Sequence, residues 1–153
     1  MNNAAVVRDL YREVILNHSR RPRNRRTMAD CSHTARSENP ACGDEVSVFL
    51  RMNDRGAIGD IAFAGQSCAI ATASASLMTE VMVGKTAAQA RALFERFLAI
   101  ATGGVEAPLD GMEVELEQLS TLSGLRDYPV RVTCATLPWH TILAALESAK
   151  EWK

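Results

Sequence analysis

Residues 65–84, GQSCAIATASASLMTEVMVG, place the strongest constraint on what this chain can fold into. Beyond the cysteine the stretch is small or apolar on nearly every helical face, and Gly84 stops it. A surface helix keeps a polar stripe, so a helix without one must be enveloped by the rest of the chain. With 153 residues and 47% hydrophobic content, the chain has enough material to build that envelope as a single domain spanning 1–153.

The flanking segments supply the layers. Residues 5–18 put Val7, Leu10, Tyr11 and Val14 at helical spacing. EVSVFLRMN at 45–53 alternates as a strand does, Asn53-Asp54-Arg55-Gly56 is a turn, and AIGDIAFAG at 57–65 is the expected hairpin partner. Thr86 is placed to cap a second amphipathic helix that ends at Gly103-Gly104. Residues 105–117 read as an irregular acidic loop, followed by a helical turn or two around Leu119 to Leu125. A last helix carries Trp139, Ile142, Leu143 and Leu146 on one face, with Pro138 in its first turn, where a missing N–H costs least. The outline is α+β: a small antiparallel sheet of about three strands covered by helices.

Charge narrows the function. A net charge of −1 gives no broad field for nucleic acid or an anionic membrane. No apolar run approaches the roughly 18–20 residues of a membrane span, and the N-terminal stretch has acidic residues and no uninterrupted apolar core. The expected setting is therefore cytoplasmic, with neither membrane nor nucleic acid as partner. Arg20, Arg21, Arg23, Arg25 and Arg26 form a short basic loop around Pro22, either a solvated segment or a docking surface for an acidic partner.

Four cysteines are present, Cys31, Cys42, Cys68 and Cys134, and no CxxC. A chain of this size does not need disulfides, and a zinc ribbon or thioredoxin-like pair loses its usual signature. Scattered thiols are most often small core hydrophobes. Three of them, however, fall at the expected edges of elements: Cys42 before the first strand, Cys68 before the buried helix and Cys134 before the last helix. Free N–H groups at a helix start favour thiolate over thiol. Asp44 stands two residues after Cys42 in NPACGDEV, either capping its turn or offering an oxygen to a metal. If these loops converge, Cys42, Cys68, Cys134 and Asp44 give three sulfurs and one oxygen, a tetrahedral set suited to zinc.

The runs CGDEV at 42–46, GQSCAIATASASLM at 65–78 and RVTCATLPW at 131–139, in this order and with LYREVILNH at 10–18 ahead of them, resemble the U-type iron–sulfur cluster assembly proteins: IscU, SufU and the NifU N-terminal domain. The finer likeness is to the SufU branch. Thr133 stands where IscU-type scaffolds have a histidine before the last cysteine. Residues 103–130 look like the longer segment of SufU-type proteins, and YPVRV replaces the chaperone-binding LPPVK segment.

The resemblance implies one zinc held by Cys42, Asp44, Cys68 and Cys134. It also implies a SufS-type cysteine desulfurase as sulfur donor, Cys42 as the persulfide acceptor, and downstream Fe–S assembly proteins as recipients. Such a protein is an enzyme only in the loose sense of a sulfurtransferase. Because a metal-bound thiolate is a dulled nucleophile, Cys42, on a Gly-flanked turn, is the ligand expected to be released at the moment of attack. Arg131 either orients a persulfide, pairs with Asp44, or is a solvated arginine on an extended segment. Cys31 has no counterpart among the matching motifs and reads as incidental. His18 reads as structural or partner-facing, and His33 and His140 as exposed. The alternative function is a scaffold on which a [2Fe–2S] or [4Fe–4S] cluster is assembled by the same thiolates.

Overall fold

The computed structural model describes residues 3–41, 43–104, 109 and 111–148. Its elements run α1 (Asn3–Arg20), β1 (His33–Asn39), β2 (Asp44–Met52), β3 (Ile58–Ala64), α2 (Ala69–Met82), α3 (Ala87–Thr102), α4 (Glu113–Ser120), a 3₁₀ turn (Ser123–Asp127) and α5 (Pro129–Glu147). The α+β outline holds. The three strands form one antiparallel sheet in the order β1-β2-β3. Among the described residues no helix is long and apolar enough to cross a membrane.

Period-two alternation puts Val46, Val48 and Leu50 of β2 under the helices. The opposite face, with Phe49, is closed by a small cluster of Met28, Cys31 and Ala62. Cys31 is thus a packed thiol in the loop before β1. The all-round apolar α2 lies in the middle, packed against α1, α5 and β3, with Ala71, Ala73, Ala75, Met78 and Met82 inaccessible or nearly so. Its small residues let the neighbours approach closely. Phe97 of α3 stacks on Trp139 of α5 at 4.4 Å between ring centroids. Thr86 caps α3 through a reciprocal pair with Gln89, as its position predicts.

Three expectations need correction. The strand β1, HTARSEN, has no apolar alternation to betray it; it forms because the free edge of β2 offers a complete ladder and α5 packs over it. In sequence, Cys42 therefore falls between β1 and β2 rather than before the first strand. Residues 113–117 belong to α4, where Glu113 and Glu115 suit the positive end of the helix; residues 105–108 and 110 of the expected loop lie outside the described residues. The last helix starts at Pro129, not near Pro138. Pro129 takes the position where a missing N–H is harmless, and α5 continues through Pro138 inside it.

Candidate metal centre

Two chain reversals build the site. At the first, β1 turns into β2: Gly43 N–H donates to the carbonyl of Asn39 at 2.9 Å and Ala41 N–H to Asn39 Oδ1 at 3.2 Å. Gly43 adopts φ +72°, the left-handed region that the turn requires. Asp44, the first residue of β2, points inward and is only 3% exposed. At the second, β3 turns into α2 through Gly65, whose φ is +123° and where a Cβ would lie 2.2 Å from the carbonyl oxygen of Glu45. Only glycine permits that approach. Glu45 N–H then donates to Gln66 O at 2.7 Å, tying the two reversals together.

Cys68 caps α2. Its Sγ accepts from Ala71 N–H at 3.4 Å, and its own N–H donates to Asp44 Oδ1 at 2.8 Å. The second carboxylate oxygen, Oδ2, stands 3.7 Å from Cys68 Sγ. Cys134 approaches from α5. It is buried, whereas Cys68 is exposed. It lies inside α5 and not ahead of it, because Pro129 opens the helix. Pro138 cannot donate to the carbonyl of Cys134, so the helical ladder is interrupted at that residue.

One ligand atom from each of Asp44, Cys68 and Cys134 lies within 4.8 Å of the other two. Bond lengths of about 2.3 Å to sulfur and 2.1 Å to oxygen give tetrahedral edges of roughly 3.6–3.8 Å. The Asp44–Cys68 separation already equals such an edge, and the trio as a whole is at most slightly wider. Two thiols and one carboxylate, half-buried with one side open, fit a zinc-sized ion with a place left for a fourth donor. Cys42, two residues before Asp44, lies outside the described residues.

Arg131 is exposed, in the first turn of α5 and not on an extended segment, with its guanidinium 4.9 Å from the centre of the Tyr128 ring. Among the described residues it forms no ion pair with Asp44. Tyr128 stacks on Tyr11 of α1 at 6.0 Å. Burial raises the Tyr11 pKa; Arg131 opposes that rise from close by, although its guanidinium does not meet the hydroxyl at hydrogen-bonding distance and angle. The neighbouring Cys68 adds to the rise. In the sequence Tyr11 looked like one more apolar position on an amphipathic helix; the only available signal of a different role was its hydroxyl.

The histidines do not join the site. His18 is buried, with Nδ1 2.7 Å from Ser76 Oγ, and its pKa is lowered to about 4 by burial and then by Arg23. His33 is half-buried beside Ser32, and His140 lies at the surface edge-on to Phe94.

An α+β domain that brings two thiols and a buried carboxylate to the open end of a central helix defines a small thiolate metal-site class. Residues 10–135 match the NifU-like N-terminal domain, and the chain belongs to that family, which includes the IscU and SufU proteins of iron–sulfur cluster assembly. It is 36% identical over 138 residues to the iron–sulfur cluster assembly scaffold protein IscU of Streptococcus pyogenes serotype M1, covering 90% of this chain and 83% of the relative. It is 33% identical over 133 residues to the zinc-dependent sulfurtransferase SufU of Bacillus subtilis, covering 87% and 86%. A proposed iron–sulfur cluster assembly scaffold protein for the SUF system from Fervidobacterium islandicum AW-1 superposes with a TM-score of 0.79 at 29% identity, over 90% of this chain and 96% of that one.

Proposed function

We propose that this protein is a zinc-holding sulfur acceptor that takes persulfide sulfur from a SufS-type cysteine desulfurase, in a reducing cytoplasm, and passes it to iron–sulfur cluster assembly. The observation that carries the reading is the convergence of Asp44, Cys68 and Cys134 within 4.8 Å, with a further cysteine two residues before Asp44 in the sequence. A carboxylate in the set and an exposed Cys68 distinguish it from the closed all-cysteine or cysteine–histidine cage of a purely structural zinc. The Bacillus subtilis relative is named a zinc-dependent sulfurtransferase, which supports the same choice.

Asp44, Cys68, Cys134 and Cys42 would hold the ion, which keeps cysteine ligands deprotonated when bound. The Cys68 N–H on Asp44 Oδ1 orients that carboxylate and leaves Oδ2 facing the sulfur. Cys42 is the acceptor in this reading. Its thiolate attacks the outer sulfur of the desulfurase persulfide, the donor S–S bond breaks, the donor leaves as a thiolate, and Cys42 becomes the persulfide, with no net redox change.

The test is mass spectrometry of the protein after incubation with a SufS-type desulfurase and cysteine. One sulfur atom added to the Cys42 peptide, and none elsewhere, is expected. A Cys42→Ala variant that still stimulated the desulfurase and still carried persulfide would overturn the assignment. The scaffold reading is favoured by the Streptococcus relative's name; against it, Thr133 stands before Cys134 and no histidine of the described chain reaches the site.

A further inference from the structure

Within the basic loop, Arg23 and Arg26 meet acids, Glu80 and Asp60. Arg25 meets no acid among the described residues; its Nη2 donates instead to the carbonyl of Gly65 at 3.0 Å. Gly65 is the hinge that turns β3 into the Cys68 loop. One arginine of the loop thus bears directly on the segment that presents a metal-site thiol.

The backbone explains why that side chain arrives there. In the sheet, β3 is an edge strand, paired with β2 on one side only. Residues 24–26 run along its other side: Phe63 N–H donates to Asn24 O at 3.0 Å, and Arg26 N–H to Phe63 O at 2.9 Å. Asn24 takes φ +62°, a left-handed conformation that asparagine tolerates, and its Nδ2 is fastened to Thr79 Oγ1 at 2.9 Å. In an extended chain successive carbonyls face opposite edges, so Gly65, two residues after Phe63, also faces outward and is met by the Arg25 guanidinium. The Gln66 carbonyl faces inward and accepts from Glu45 N–H at 2.7 Å.

The peptide between Gly65 and Gln66 is therefore gripped from both sides. Glycine permits the close approach to Glu45 but, without a Cβ, does little to fix its own dihedrals. Arg25 supplies that restraint. Two residues after Gln66, Cys68 N–H meets Asp44 Oδ1 at 2.8 Å, so the direction of this peptide is passed on to the thiol and the carboxylate.

We infer that Arg25 is a positioning residue of the metal centre: by holding the Gly65 carbonyl it fixes the loop that sets Cys68 beside Asp44, and so slows release of the ion. The inference rests on the reading of Asp44, Cys68 and Cys134 as metal ligands. The bond lies at the surface, so its effect is local rather than on global stability.

The experiment compares the full chain with Arg25→Ala, Arg25→Lys and Arg26→Gln. Metal-free protein is followed by amide hydrogen exchange, and zinc-loaded protein by the rate at which it yields zinc to a chromophoric chelator. Arg25→Ala should exchange the Glu45 and Cys68 amides several-fold faster, with the Phe63 amide and the unfolding midpoint level. Its zinc release should be roughly tenfold faster, the lower end of what lost outer-shell partners produce. Lysine keeps a donor and should restore most of both losses. Arg26→Gln, which gives up the Asp60 pair, should match the wild type in both. Unchanged Cys68 exchange in Arg25→Ala, faster exchange with unchanged zinc release, or an equal effect from Arg26→Gln would each overturn the inference. A wild-type chain that took up no zinc would overturn the metal reading, while the amides would still decide whether Arg25 holds the loop.

Discussion

The two ends of α2 carry polar groups of opposite kinds. Toward its C-terminal half, every polar atom is answered from within. Trp139 Nε1–H donates to Ser74 Oγ at 2.9 Å, Ser74 donates onward to the Ala135 carbonyl at 2.6 Å, and Ser76 Oγ meets His18 Nδ1 and accepts from Arg23 N–H at 2.8 Å. At the N-terminal end, Asp44 is buried as deeply, yet the described residues give it only the backbone N–H and thiol of Cys68. Nearby, the Tyr11 hydroxyl has no partner. A closed network specifies packing. An open one, held rigid at the cost of unmet polar groups, is a place for something to bind. The buried histidine, the residue type that most suggests metal, belongs to the closed end.

Perturbing the two ends should therefore separate stability from metal retention. The largest loss is expected at the hinge that brings them into one frame. Gly65→Ala forces a Cβ onto the Glu45 carbonyl at a left-handed φ and should cost roughly 3 kcal/mol or more, measured by denaturant unfolding. Next comes pH. His18 titrates near 4 when folded and near 6.5 when unfolded, so between those values the unfolded chain binds a proton that the folded chain refuses. Its contribution is fully present above pH 6.5 and is lost as the pH falls towards 4, by about 2–3 kcal/mol in all. Glu80, 3.7 Å from Nε2, opposes this only weakly because it is partly in solvent. Denaturation curves at pH 7 and pH 4.5 should show that slope in the wild type and its loss in His18→Gln.

Ser74→Ala should cost about 2 kcal/mol, since the Trp139 N–H is left buried without an acceptor, and should leave metal content unchanged. The smallest effect on stability should come from the open end. Asp44→Asn keeps an acceptor for Cys68 N–H, so the metal-free protein should move by less than about 1 kcal/mol while zinc content drops. Metal analysis beside melts in chelator checks the pair. If Ser74→Ala lost zinc, or Asp44→Asn unfolded the metal-free chain, the contrast between the ends would fail.

Much of this is legible in the sequence. The β2–β3 hairpin followed from the alternation of residues 45–53 and the turn after it, the buried α2 from the absence of a polar stripe, and the cap at Thr86 from residue type and position. The likeness of three cysteine motifs in register pointed to the family. What was hidden had physical reasons. HTARSEN is a strand only because β2 offers an edge, which no local pattern records. Pro138 looked like a helix start because a proline inside a helix is disfavoured, and Pro129 nine residues earlier had the better claim. Misplacing that start put Cys134 outside the helix that carries it. Tyr11 could not be told from a core position, since its role rests on Tyr128 and Arg131, more than a hundred residues away.

The most direct measurement is the metal and acid-labile sulfide content of the protein purified anaerobically without added metal. The account predicts about one zinc per chain and no labile sulfide, as a single tetrahedral site requires. Iron with matching sulfide would contradict it and make the chain a cluster scaffold.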